Sequence, residues 1–130
     1  MAVYDSDLFD PPAPLARVTL RAIQTRKIIR DVPMLIDSGS DLTLIPEASI
    51  AELSPSFDSD KRVELQGFDG RVTVARSVEL DLIFLRTTFR GHLPLVDSPI
   101  GVLGRNVLNR FAIFLDGPNL NWDELSRLAK

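Results

Sequence analysis

From residue 16 onward, apolar and polar positions alternate along the chain. ARVTLRAI places Val18, Leu20 and Ala22 on one side, and SVELDLIFL places Val78, Leu80, Leu82 and Phe84 together. A period of two predicts half-buried strands. RKIIRDVPMLI, LTLI, KRVELQ, RVTVA, FRGHLPLV and FAIFLD are further short strand candidates, divided by Gly, Pro, Asp and Ser. Helical signals are few. PEASIAEL has Pro46 at a favourable first position, RNVLNRF follows Gly104, and NWDELSRLAK is acidic early and basic late, as a helix dipole prefers. Trp122, Leu125 and Leu128 fall at helical spacing and are expected to dock that last helix on the body. In KRVELQGFDGRVTVARS two alternating arms flank a glycine-bearing tip, the pattern of a β-hairpin, with Phe68 at the tip. The predicted class is mainly β, a closed or folded-over sheet with one to three short helices.

Length and composition narrow the chemistry. At 130 residues the chain is expected to form one domain. Residues 1–15, acidic and proline-bearing, read as a flexible leader; residues 16–117 form the domain proper, and residues 118–130 a C-terminal strand or helix extension. Fifteen Lys and Arg against 18 Asp and Glu give a net charge of -3, so no basic field recommends a nucleic-acid partner. No stretch has the length of a membrane span and the first residues lack a signal-peptide pattern, which places the expected location in the cytoplasm. The absence of cysteine removes disulfides, thiol catalysis and thiolate metal sites together. A single histidine, His92, cannot build a His-rich zinc site and leaves a Ser-His-Asp triad hard to assemble; a structural or surface role is expected for it. Chemistry must therefore rest on carboxylates, hydroxyls and backbone; no metal and no cofactor is expected.

One stretch carries such chemistry. In MLIDSGSDLTLIP, an apolar strand is interrupted by Asp37, Ser38 and Gly39 before the apolar run resumes. Those three are ordinary turn residues, and the tripeptide alone is a weak signal. A carboxylate at the edge of a core, however, is costly unless paired or shifted in pKa. A second junction of apolar residues and glycine, IGVLGRN, lies far downstream.

LIDSGSDLTLI, ELQGFDGRVTV and GVLGRNVLNRF, in that order and near that spacing, resemble the catalytic loop, the flap, and the downstream strand and helix of the retropepsin-like aspartic proteases. This is the family of the retroviral proteases and their single-lobed bacterial relatives; the resemblance spans roughly residues 16–116. It implies a half-barrel with a flap hairpin, assembled as a symmetric homodimer. Asp97-Ser98-Pro99, the nearest candidate for a second Asp-Ser/Thr-Gly, has proline where glycine is required. The second aspartate must then come from another copy, an isologous pairing in which Asp37 meets its mate. The implied activity is hydrolysis of peptide bonds in an extended polypeptide by water activated between the two Asp37 carboxylates.

The same resemblance assigns roles to neighbours. Ser38 stands where a hydroxyl bonds the opposing loop, Gly39 allows close backbone approach, and Ser40 is expected to donate its hydroxyl to the Asp37 carboxylate. Asp41 and Arg105 match an internal ion pair, and Thr43 with Asn106 add a hydrogen bond nearby. Gly67 and Phe68 are expected to close over substrate, while Leu35, Leu44, Leu65, Ile100 and Val102 line side-chain pockets. Asp69 and Arg71 depart from the glycine and aromatic of the retroviral flap. Two other readings stay open. One is a catalytically silent dimer of this fold that binds peptides or only dimerises. The other is a phosphatase of the haloacid-dehalogenase type, which wants an aspartate where Gly39 stands and a parallel α/β fold.

Overall fold

The computed structural model describes residues 2–53, 62–67 and 69–125 of the chain. In chain order the elements are β1 (Ala2–Asp5), β2 (Ala13–Ala22), β3 (Ile28–Ile36), β4 (Ile45–Pro46), α1 (Glu47–Ile50) with a 3-10 turn at Ala51–Leu53, β5 (Arg62–Gln66), β6 (Val72–Phe84), β7 (Thr87–Val96), β8 (Gly101–Leu103), α2 (Arg105–Leu108), β9 (Ile113–Asp116) and β10 (Asn121–Glu124). Ten strands run in the order β4-β7-β6-β2-β1-β10-β9, while β3 branches from β2 to pair with β8, and β5 pairs with β6. The mainly β class and the two short helices after Pro46 and Gly104 agree with the sequence pattern. Among the described residues no helix is long and apolar enough to cross a membrane.

The alternation read in the sequence becomes the core. Val18, Leu20 and Ala22 of β2 and Val78, Leu80, Leu82 and Phe84 of β6 are all buried, and the Leu20↔Leu82 register brings the two strands together. Met34, Ile45, Ile50, Leu53 and Leu103 complete the buried cluster. Each buried aliphatic side chain contributes about 1.5–3 kcal/mol against solvent exposure, so this inner face supplies the main driving force for closing the sheet.

Two expectations about the ends are corrected. Residues 2–5 are not part of a loose leader: they form β1, antiparallel to both β10 and β2 through Val3↔Asn121 and Tyr4↔Pro14. Asn121–Glu124 is a strand rather than the start of a helix, paired along its whole length with β9; residues 126–130 lie outside the described part. Trp122 is buried as expected, but from a strand. Its indole N–H donates to the Leu15 carbonyl at 3.0 Å and its ring stands 6.2 Å from Phe84. Two backbone ladders and a buried indole outweigh the modest helix preference of so short a segment.

On the outer face of the body, Asp81 occupies register positions directly between Arg21 and Arg90. Its side chain is 0% exposed, and it accepts bonds from Arg21 Nε and Nη2 (3.0 and 2.9 Å) and from Arg90 Nε and Nη2 (2.8 and 3.2 Å). The Arg90 bonds, followed by those of Arg21, hold its carboxyl below the usual value against the opposing effect of burial. His92 lies at the surface of the same sheet, 3.7 Å from Glu79.

Candidate active site

Asp37 is the first residue after β3, and its setting follows from how β8 is threaded. β8 runs parallel to β3 with Met34↔Gly101, Leu35↔Val102 and Ile36↔Leu103 in register. The Asp37 amide extends this ladder by donating to the Leu103 carbonyl at 3.1 Å. On the other flank of β8, Leu44 and Val102 exchange two backbone bonds of 2.8 and 2.9 Å. The segment from Asp37 to Leu44 therefore passes from one side of β8 to the other, and the carboxylate rides on the crossing.

Two glycines make the crossing possible. A β-carbon at Gly104 would fall against the backbone of Leu42, and one at Gly101 against the Leu44 carbonyl and the Met34 sulfur. Hydrogen bonds then fix the loop from within. The Gly39 N–H donates to Asp37 Oδ1 at 2.9 Å, and the Ser40 N–H donates to the Asp37 carbonyl at 3.1 Å. Thr43, fully buried, donates its hydroxyl to Asn106 Oδ1 at 2.7 Å and accepts the Gly104 N–H at 3.0 Å. The Arg105 amide donates to the Ser40 carbonyl and its guanidinium to the Ser38 carbonyl, both at 2.8 Å. Asp37 is half-buried, and among the described residues its Oδ2 has no hydrogen-bond partner.

The sequence-assigned residues are distributed unevenly. Thr43 and Asn106 meet as expected. Ser40 does not reach the carboxylate: its hydroxyl donates to the Leu42 carbonyl at 2.7 Å, because the loop turns back on itself there. Asp41 and Arg105 form no ion pair among the described residues; Arg105 is drawn instead to the Ser38 carbonyl, and Asp41 is exposed. Leu35, Val102 and Leu44 are brought side by side by the β3-β8-Leu44 register, all half-buried, and half-buried Ile100 leads into the same strand. Leu65 and Gly67 lie on the β5/β6 hairpin. Leu65 faces a cleft of about 390 Å³ at its base, and Gly67 forms the turn through bonds to Arg71 and Gly70. Phe68 lies outside the described residues. Asp69 and Arg71 pair with each other at 3.3 Å near the exposed tip. Asp97 also lines the hairpin cleft, and Ser98 closes a small turn onto the Ile100 amide. Sequence reading missed Leu42, whose carbonyl anchors Ser40 and whose backbone packs on Gly104. The only signal was that second glycine. No three His, Asp or Glu side chains among the described residues converge in a way that could hold a metal ion.

The comparisons agree with this geometry. A family model described as retroviral aspartyl protease matches residues 12–116, which include the Asp37 loop, the hairpin and the β8-α2 junction. Among solved structures the chain is similar to EIAV protease in complex with the inhibitor HBY-793, at 17% identity and a TM-score of 0.58, covering 75% of this chain and 86% of that one. At that identity the likeness speaks for the fold. No curated protein matches the chain. With a family model covering most of its length and the fold to go with it, the chain belongs to the retroviral aspartyl protease family.

Proposed function

We propose that the protein is an aspartic endopeptidase whose site is completed by a second copy of the chain. The observation that carries this reading is the state of Asp37: its backbone is locked by β8, one carboxylate oxygen is held by Gly39, and the other is open. A loop fixed so firmly around one free oxygen suits a carboxylate that must meet another at a set distance. Among the described residues β9 pairs only with β10, and its edge, where Phe114 and Leu115 are about half exposed, offers an apolar surface for a second copy.

Two carboxylates about 3 Å apart share one proton, which makes one the base and the other the acid. The base removes a proton from the water between them as its oxygen attacks the scissile carbonyl carbon. The acid gives its own proton to the carbonyl oxygen, so that a neutral gem-diol forms and the former base holds the proton taken from water. Transfer of a proton to the amide nitrogen and collapse of the gem-diol break the C–N bond, releasing an acid and an amine without a covalent enzyme intermediate. Leu35, Leu44, Ile100 and Val102 favour apolar side chains near the cleaved bond, while the hairpin covers an extended substrate.

The test is digestion of an unstructured polypeptide between about pH 3 and pH 8, a range that runs from where such a pair holds its shared proton to where it has lost it. Wild-type protein should cleave, and a pepstatin-type inhibitor or Asp37→Asn should stop it. Cleavage that persists in Asp37→Asn would point to a contaminant or a different site and overturn the reading, whereas a folded dimer that cuts nothing would leave the silent peptide-binding reading in its place.

A further inference from the structure

β1 forks the sheet. Its first half pairs with β10 through Ala2↔Trp122 and Val3↔Asn121, its second half with β2 through Tyr4↔Pro14 and Asp5↔Ala13. The next partner along that side of β2 is β6, whose pairing begins at Thr19↔Ile83, so among the described residues no strand pairs with residues 15–18 there. Every second residue of a strand points its amide and carbonyl to the same side. The Leu15 carbonyl points into the gap, where the Trp122 indole takes it at 3.0 Å, and the amide and carbonyl of Arg17 face the same way. A cavity of about 540 Å³ lies here, a volume usual for small-ligand sites. Leu15, Phe84, Leu85 and Trp122 give it apolar walls, and Arg17 and Asp5 are its charged lining residues. Arg17 is exposed and, among the described residues, its guanidinium has no partner; Asp5 accepts the Leu8 amide on Oδ2 at 2.8 Å. Leu85 and Arg86 hold left-handed backbone (φ 48° and 65°) in the two-residue turn between β6 and β7, where glycine or asparagine is the relaxed choice. Leu85 brings to that strained turn a half-buried branched side chain on the cavity wall.

We infer that this cavity binds the carboxyl-terminal end of a peptide whose last residue is apolar, at a site separate from Asp37. The terminal carboxylate meets Arg17, whose planar guanidinium suits bidentate recognition of such a group. The last side chain enters between Leu85 and Trp122, and the amide before it meets the open edge of β2 at Arg17, as in a short added strand. The second oxygen of Asp5 repels a further anionic group, which selects an apolar over an acidic last residue. β1 and β10 stand between β2 and the β9 edge offered to a second copy, so peptide and partner do not compete. The site does not depend on the endopeptidase reading.

Trp122 is the only tryptophan in the chain, so its fluorescence reports on this cavity. Adding N-acetyl-leucyl-leucine with a free carboxylate should change that emission saturably, with a Kd on the order of 1 mM or tighter for so small a ligand. Its carboxamide should bind about tenfold more weakly, the low end for a hydrogen bond to a charged group because Arg17 is exposed. Arg17→Gln should bind acid and amide alike, and Leu85→Gly, which relaxes the turn and removes a wall, should weaken both severalfold. Isocaproate, which keeps the carboxylate and the branched chain but has no amide, should bind more weakly than the peptide. In amide spectra the peptide should shift Leu15 and Arg17 and leave Gly39 in place, and a pepstatin-type inhibitor should not displace it. No saturable change, equal binding of acid and amide to wild type, or displacement by the inhibitor would overturn the inference. Isocaproate binding as tightly as the peptide would also overturn it, reassigning the cavity to simple carboxylates. Binding that follows Arg17 in a protein that cleaves nothing would uphold the cavity and count only against the endopeptidase reading.

Discussion

Asp81 lies between buried Leu80 and Leu82, and Asp37 follows the half-buried Ile36 at the end of β3, yet the fold treats the two carboxylates in opposite ways. Asp81 is sealed from solvent and gripped by two arginines that saturate its oxygens. Asp37 is half-exposed, with one oxygen held by a backbone amide and the other free. The first arrangement spends all of a carboxylate's bonding capacity on cohesion; the second fixes the position of the group and withholds its chemistry. Burial alone therefore does not mark a functional acid. What separates the two is whether the partners are flexible cations that satisfy the charge or rigid backbone that only aims it.

The largest effect expected from this contrast is on turnover. Asp37→Asn should lower peptide hydrolysis by about a thousandfold or more while leaving the thermal midpoint near wild type, since general acid–base groups contribute at that scale. Asp81→Asn should do the reverse, costing about 2–4 kcal/mol in chemical denaturation, reduced from the fully buried case because Arg90 is 55% exposed. Its specific activity per folded molecule should persist. A variant at Asp81 that is stable but inactive would erase the distinction.

Acidification sharpens the same comparison. Because the Asp81 carboxyl titrates below its unfolded value, the stability it contributes is fully present above the ordinary carboxylate pKa and is lost as pH falls through the lowered folded value. Denaturation midpoints followed downward from about pH 5 should decline more steeply in wild type than in Asp81→Asn. Parallel curves would show that the two arginines do not stabilise the ionised form. Next in size, Gly104→Ala should cost about 1–3 kcal/mol through its collision with Leu42, with activity falling beyond the loss of folded protein because the loop must shift. Thr43→Val is the mildest, about 1–2 kcal/mol for an unpaired Gly104 amide and Asn106 side chain; it should lower activity through loop disorder, and a crystal structure of the variant would check the displacement.

What could be read from the sequence was whatever depends on neighbours in the chain. The period-two runs of β2 and β6, the interruption at Asp37-Ser38-Gly39, the glycines of GVLGRN and the hairpin around GFDG all declare themselves locally. The Asp81 cluster was invisible for the opposite reason: Arg21 is 60 residues away, and only the register of three strands makes the partners adjacent. In the site, Thr43 and Asn106 met as the family pattern implied, but Asp41 and Arg105 did not, since a backbone carbonyl competes well for an exposed guanidinium. The Ser40 hydroxyl likewise found the nearer acceptor, Leu42. At the ends, β1 and β10 stabilise each other as strands, a choice neither segment makes alone.

The seat of Asp37 also has a history in time. The strand that locks it, β8, lies more than 60 residues downstream in the chain, and β10, one of the two partners of β1, comes later still. A nascent polypeptide leaving the ribosome thus carries its acid long before it carries the scaffold that aims it. On the endopeptidase reading, a chain that has not yet reached Gly101, whether still growing or cut short there, has its acid without an aim.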